Sequence, residues 1–198
     1  PSTGKTIKYR PFLVKEEKVL LMALESKDEK QVVSAVKDLI KNCVITRIKV
    51  DNLPSFDLEY LFLKIRGASI GENIILTVTC LDDNETQVEA NININDVEIF
   101  KPEGHDKKIM FDENTGLVMK YPSMKEFVDR EFLQKEMKTE DVYEFIADSI
   151  DQIFDSEEVY DSSTTTKKEF RTFVDSLTTK QFEKIQKFYE TSPKLSHT

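Results

Sequence analysis

Ile74-Ile-Leu-Thr-Val-Thr-Cys-Leu-Asp-Asp-Asn-Glu-Thr-Gln-Val-Glu-Ala-Asn-Ile-Asn-Ile94 decides between an all-helical chain and a mixed one. Ile74, Leu76, Val78 and Cys80 alternate with Ile75, Thr77 and Thr79, and Val88, Ala90, Ile92 and Ile94 alternate with Gln87, Glu89, Asn91 and Asn93. A period of two puts each set on one face of a strand, and Asp82-Asp-Asn-Glu85 supplies the turn between them. The pattern predicts a half-buried antiparallel hairpin, apolar inward and polar outward. A second hairpin is expected next, over Lys108–Phe111 and Leu117–Tyr121, with a loop ending in Gly116.

Toward the N-terminus the period changes to that of helices. Asp28, with Gln31 three residues on, is a candidate N-cap for a helix carrying Val32, Val33, Val36, Leu39, Ile40 and Cys43 on one stripe. Ile45 to Val50 is a candidate short strand. Asn52-Leu-Pro-Ser55 breaks the chain, and Ser55 can cap a helix bearing Leu58, Leu61, Phe62 and Ile65, which exits at Gly71. The opening stretch reads as a short strand, a turn at Pro11 and a helix in which Val19, Leu20, Leu21, Met22, Ala23 and Leu24 run consecutively. A helix apolar on nearly every side is expected to be buried.

Beyond Pro122 the chain turns helical and rich in phenylalanine. Ser123 with Glu126, Thr166 with Glu169 and Thr178 with Gln181 have the spacing of capping boxes. They open helices carrying Met124, Phe127, Val128 and Phe132; Phe170, Phe173 and Val174; and Phe182, Ile185 and Phe188. Thr139 is expected to cap a further helix that aligns Val142, Phe145, Ile146, Ile150 and Ile153, followed by an acidic linker from Asp155 to Thr165. The expected architecture is α+β: residues 1–121 form a unit of helices packed on an antiparallel sheet of two hairpins, and residues 122–198 form an all-helical unit.

The 198 residues carry a formal charge of −9, which argues against a nucleic-acid partner, because neutralising phosphates needs a clustered cationic face. Lys5, Lys8, Arg10, Lys15 and Lys18 cluster, but Glu16 and Glu17 interrupt them. No apolar run approaches the roughly 20 residues of a membrane span. The chain opens on Pro1 rather than Met and closes without a terminal signal, so continuation at both ends is expected. The two cysteines offer no disulfide framework and point to a reducing cytoplasm.

Candidate chemistry is thin. Gly4-Lys5-Thr6 resembles the tail of a phosphate-binding loop, yet the motif needs an earlier glycine and a helix directly after it, and here an extended Ile7-Lys-Tyr-Arg-Pro11 follows. Cys43 and Cys80 fall on apolar faces and read as small core residues. His105 and His197 stand in polar surroundings without a nucleophile and read as surface histidines. Asp151, Asp155, Glu157, Glu158 and Asp161 lack the central glycine and ligand spacing of a calcium loop. No catalytic, cofactor-binding or metal-ligating set emerges.

Tyr9-Arg-Pro-Phe-Leu-Val-Lys-Glu-Glu-Lys18 and Leu53-Pro-Ser-Phe-Asp-Leu-Glu-Tyr-Leu-Phe-Leu-Lys-Ile-Arg66 resemble the baseplate hub protein family of T-even-type contractile-tailed bacteriophages, whose marine relatives infect cyanobacteria and other ocean bacteria. The likeness is clearest from Thr3 to Ile99 and looser through the helical segment. It implies a non-enzymatic protein of the tail baseplate, or of the host cytoplasm during assembly, that acts through contacts with other hub or tape-measure proteins. It implies no cofactor, metal or catalytic residue and leaves the oligomeric state open. Tyr9, Arg10, Pro11, Phe12, Asp57, Glu59, Tyr60 and Arg66 are its structural block. The alternatives are a dedicated chaperone for the tape-measure or another hub protein, absent from the virion, and, more remotely, a carboxylate-based hydrolase.

Overall fold

A computed structural model describes residues 1–123 and 139–197, and the fold is α+β. In chain order come α1 (Val14–Glu25), α2 (Glu29–Cys43), α3 (Ser55–Ile70), β1 (Asn73–Thr79), β2 (Gln87–Asn93) and β3 (Val97–Phe100). They are followed by β4 (Lys108–Met110), β5 (Gly116–Met119), α4 (Thr139–Asp148), β6 (Ile150–Phe154) and β7 (Val159–Asp161), then α5 (Lys167–Ser176), α6 (Thr179–Glu190) and β8 (Lys194–His197). Among the described residues the strands pair antiparallel: β1 with β2, β3 with β8, and β4-β5-β6-β7 as a four-stranded sheet. The residues gather into two units. One holds Pro1–Phe100, Ser123 and Lys194–His197; the other holds Lys101–Pro122 and residues 139–193.

In the first unit the predicted cap at Asp28 and the exit at Gly71 form, and the cap predicted at Ser55 does not. The Asp28 carboxylate accepts the N–H of Lys30 at 2.9 Å and of Gln31 at 3.4 Å, and α2 begins at the next residue. Ser55 is already the first helical residue of α3; Pro54 takes the cap position. Gly71 ends α3 at φ 115°, a left-handed value that glycine adopts without a Cβ clash. Leu58, Leu61 and Ile65 of α3 join Leu39, Ile40, Cys43 and Val50 in one buried cluster. The strand expected over Ile45–Val50 does not form: Tyr9 and Val44 make a lone bridge, and Val50–Asn52 is a 3-10 turn.

Two expectations about burial are overturned in this unit. Helix α1 is not enclosed. Only Glu16 and Ala23 are buried, whereas Val14, Val19, Leu21, Met22 and Leu24 are exposed, Met22 by 59%. Packing on α2 takes up one side of the helix, and the rest of its apolar surface faces solvent. The β1–β2 hairpin is not half-buried either. Its register pairs Ile74 with Ile92, Leu76 with Ala90 and Val78 with Val88, so the apolar set does share one face. That face is left open: Leu76, Val78 and Val88 are exposed, and burial becomes complete only at Ile94, beyond the hairpin's base.

The second unit closes around a denser core. β4 and β5 form the second predicted hairpin, and the Asp112 carboxylate closes its turn by accepting the N–H of Asn114 at 2.9 Å and of Thr115 at 2.7 Å. A Cβ at Gly116 would run into the Ile109 carbonyl oxygen and stand 2.7 Å from the Phe154 ring, so the strand passes there only as glycine. Helix α4 stops at Asp148 rather than running on through Ile150 and Ile153, which lie in β6 between β5 and β7. Apolar residues three or four apart fit a helical stripe, but β-branched Ile150 and Ile153 also suit the edge that β5 presents. The stretch expected as a solvated acidic linker holds a tight turn and β7, with the Asp155 carboxylate accepting the N–H of Glu157 and Glu158 at 2.8 and 2.9 Å.

Helices α5 and α6 open on the predicted capping boxes, Thr166 with Glu169 and Thr178 with Gln181. Phe170, Val174, Ile185 and Phe188 meet Ile109, Leu117, Met119, Ile146, Ile150 and Ile153 in the core. Glu126 of the predicted Ser123–Glu126 box and the helix carrying Met124, Phe127, Val128 and Phe132 lie outside the described residues, as does the side chain of Thr139.

Candidate functional site

The N-terminal block builds a corner around one ion pair. The backbone N–H of Arg10 donates to the Cys43 carbonyl at 2.9 Å, tying the entry segment to the end of α2. The Arg10 guanidinium then grips Glu16 on both oxygens, at 2.7 and 3.1 Å, and also donates to the Pro11 carbonyl at 2.8 Å. Glu16, only 7% exposed, accepts the Leu13 N–H at 2.6 Å and so caps the first turn of α1. The Arg10 hydrogen bonds, followed by that of Leu13, hold the Glu16 pKa at about 2. Pro11 itself is exposed. The Phe12 N–H donates to Ser69 Oγ at 3.0 Å, which links the corner to α3, and Tyr9 and Phe12 pack on the buried cluster.

The Asp57–Arg66 block runs along α3. Asp57 is buried near the helix N-terminus and accepts from the Ser2 N–H at 3.0 Å and from the Ser2 hydroxyl, which pins the start of the chain. Arg66 donates to the carbonyls of Gly71 at 2.9 Å and Asn73 at 3.3 Å, bracing the turn into β1. Tyr60 lies under the Lys64 ammonium, 5.1 Å from the ring centre, and Lys64 also donates to the Ile94 carbonyl at 3.2 Å. Glu59 is half-buried. The first block is thus tied through Phe12 and Ser69 to α3, the helix that carries the second block.

The remaining candidates resolve individually. Gly4 takes φ 65° in a turn in which its N–H reaches the Pro1 carbonyl at 3.4 Å, with an extended segment behind it. Cys43 is fully buried, and burial pushes its thiol pKa up, away from a reactive thiolate. Cys80 is half-buried near the hairpin tip. His197 is exposed on β8.

His105 is not a surface residue. It is 5% exposed and stacks against Tyr121 at 5.7 Å and Phe188 at 5.1 Å. Its Nδ1 lies 2.9 Å from Thr191 Oγ1, and its Nε2 lies 2.8 Å from the Tyr121 hydroxyl. Thr191 donates its own proton to the Lys187 carbonyl at 2.7 Å, so it accepts from Nδ1–H, and Nε2 accepts from Tyr121. This arrangement suits a neutral imidazole, and burial, with Lys101 and Lys107 adding, lowers its pKa.

The acidic residues of the second unit organise turns. Asp161 accepts from the Ser163 N–H at 2.7 Å and the Gln152 amide at 3.0 Å, and Asp151 accepts from the Ser162 hydroxyl at 3.1 Å. An open depression of about 510 Å³ is lined by Ile153, Phe154, Tyr160 and Phe173, with Asp155 and Glu169 at its margin. Hydrogen bonds from backbone N–H groups lower the pKa of both carboxyls, the reverse of what a general acid requires. Among the described residues no group of three or more His, Cys, Asp or Glu could hold a metal ion, and no helix is long and apolar enough to cross a membrane.

What the first unit does present is surface for contact: the outer side of α1 and the apolar face of the hairpin. The family model described as T4 bacteriophage base plate protein matches residues 1–198. The chain belongs to the T4 base plate protein family. No curated protein and no solved structure matches it.

For a base plate protein, side chains shaped for contact are the relevant inventory. Sequence reading missed two features of it. Glu16 reads in sequence as a break in a basic cluster, although a glutamate three residues after a helix start is a capping signal. The open face of α1 has no sequence signal at all, because consecutive apolar residues look the same in a core and at an interface.

Proposed function

We propose that this base plate protein is a hub subunit, or a factor used in building the hub, that acts through contacts with other hub or tape-measure proteins and not through catalysis. The observation that carries the reading is family membership over the whole chain, with the two sequence blocks that resemble T-even-type hub proteins giving the finer assignment. Tyr9, Arg10, Pro11, Phe12, Asp57, Glu59, Tyr60 and Arg66 serve in this reading as scaffold that holds α1 and the hairpin in place. The hydrolase alternative is less well supported, since the carboxyls at the depression have lowered pKa values. In this reading the protein contacts neither nucleic acid nor membrane; the formal charge of −9 supports the first point.

Exposed apolar surface equally suits a chaperone that holds a tape-measure or hub protein in the host cytoplasm before assembly. Mass spectrometry of purified virions separates the two: a hub subunit is present in stoichiometric amounts, and a chaperone is missing. Pairwise binding to the purified hub and tape-measure proteins encoded with this chain tests the shared claim. Failure to bind any of them overturns both readings.

A further inference from the structure

The hairpin combines three properties that point to one kind of partner. Its apolar ladder is continuous with the interior: Ile94 is buried, Ile74 and Ile92 are half-buried, and Leu76, Val78 and Val88 are open. At the tip, Leu81 is 92% exposed. A two-stranded ribbon of this kind is marginally stable alone in water, so an open apolar ladder on it is costly unless something covers it. Its charge is of one sign. From Gly67 to Phe100 there are seven Asp and Glu and no Lys, Arg or His. Asp82, Asp83 and Glu85 surround the tip, and Glu89 stands on the polar face.

We propose that the β1–β2 hairpin is a docking arm whose apolar face seats on another base plate protein, on a surface apolar at its centre and rimmed by Lys and Arg. The charge selects among occupants. Anionic membranes and nucleic acid repel an arm without cations. A second copy of the arm would set one all-acidic surface against another and offer no cation to either. A basic-rimmed protein surface gains from both the apolar ladder and the acidic edge. Docking also supplies the cover that the isolated ribbon lacks.

This inference rests on the reading of the chain as a contact protein of the base plate, and the test keeps the two apart. The full-length chain is titrated against each purified base plate protein encoded with it, by interferometry, with hydrogen exchange followed on the arm. The double substitution Leu76→Ser with Val88→Ser is expected to weaken the complex at least about tenfold, whereas Ile75→Ser on the opposite face changes it less than about twofold. Asp82→Lys with Glu85→Lys, both exposed at the tip and outside the core, is expected to weaken binding and flatten its dependence on ionic strength between about 0.01 and 0.15 M. Arm amides of the wild-type chain should gain protection in the complex, a readout that needs no variant.

If a partner binds and neither the face nor the charge variant alters its affinity, or the arm gains no protection, the docking arm is wrong and the contact function stands. If the arm variants instead convert a dimer of this chain to monomer, the occupant is a second copy and the proposal falls. If no base plate protein binds the wild-type chain, the function itself falls with it.

Discussion

The two units carry similar apolar patterns and dispose of them differently. In the unit of residues 139–193 with Lys101–Pro122, Phe170, Val174, Ile185 and Phe188 are all nearly inaccessible, closed over by a four-stranded sheet. In the unit of Pro1–Phe100, the buried cluster is made by α2, α3 and the 3-10 turn, while α1 and the hairpin keep much of their apolar surface open. The difference teaches that helix and strand patterning report amphipathicity, not enclosure. Enclosure depends on whether other elements arrive to cover each face. In the second unit they do, and in the first the outer side of α1 and the hairpin face stay open.

The sharpest way to break this comparison is to truncate one residue on each side of it. Phe188→Ala removes a ring stacked on His105 at 5.1 Å and Tyr121 at 5.5 Å, and is expected to cost about 3–5 kcal/mol in denaturant unfolding of the full chain. An effect under about 1 kcal/mol would mean that the second core is as loosely filled as the first unit's surface.

Gly116→Ala comes next. With the Ile109 carbonyl and the Phe154 ring in the way, it should destabilise the second unit by about 1–3 kcal/mol, read as a lower midpoint in the same experiment. A neutral result would show that β5 can shift away from its neighbours.

Glu16 and His105, one in each unit, titrate in different pH windows. Glu16 in the first unit has a folded pKa of about 2, below its ordinary 4.5, because Arg10 and the Leu13 N–H stabilise the carboxylate. The unfolded chain therefore binds that proton first as pH falls. Its stabilisation is complete above 4.5 and is lost as pH drops toward about 2. Asp51 and Asp83 also sit at about 2, so the informative curve is wild type minus Glu16→Gln, which should slope only in that window.

His105 in the second unit is also lowered, from 6.5, by burial, with Lys101 and Lys107 lowering it further and Asp106 opposing them. Its neutral form is the folded one. Stability is complete above 6.5 and declines as pH falls below it, a loss that His105→Gln should remove from the pH profile. A wild-type profile flat below 6.5 would show that the site accepts the imidazolium. The smallest effect is expected at Met22→Ala on the open side of α1, within about 0.5 kcal/mol, because the side chain is already in water. A larger loss would mean that α1 is covered after all.

Local signals were legible where their physics is local. Asp28, Thr166 and Thr178 mark helix starts because each side-chain oxygen satisfies backbone N–H groups two or three residues on, and the structure places all three as expected. The alternation over Ile74–Ile94 correctly sorts side chains onto two faces, because strand geometry leaves no other arrangement. Ile150 and Ile153 fit a helical stripe in sequence and belong to β6, since a three-residue apolar spacing does not exclude a strand and only the waiting edge of β5 decides. His105 looks polar from its neighbours in sequence, and its burial comes from Tyr121, Phe188 and Thr191, sixteen to eighty-six positions away.

By itself, then, the sequence determined the α+β class, the caps at Asp28, Thr166 and Thr178, both hairpins and the two blocks that point to a base plate protein, because these depend on contacts a few residues long or on patterns read directly along the chain. Only the tertiary structure decided which apolar faces are closed. Glu16 is buried under Arg10, His105 is buried against two rings, and Leu76 and Met22 are left in water. Burial is a property of what packs above a residue, and a linear pattern holds no term for an element that comes from elsewhere in the chain, or from another protein.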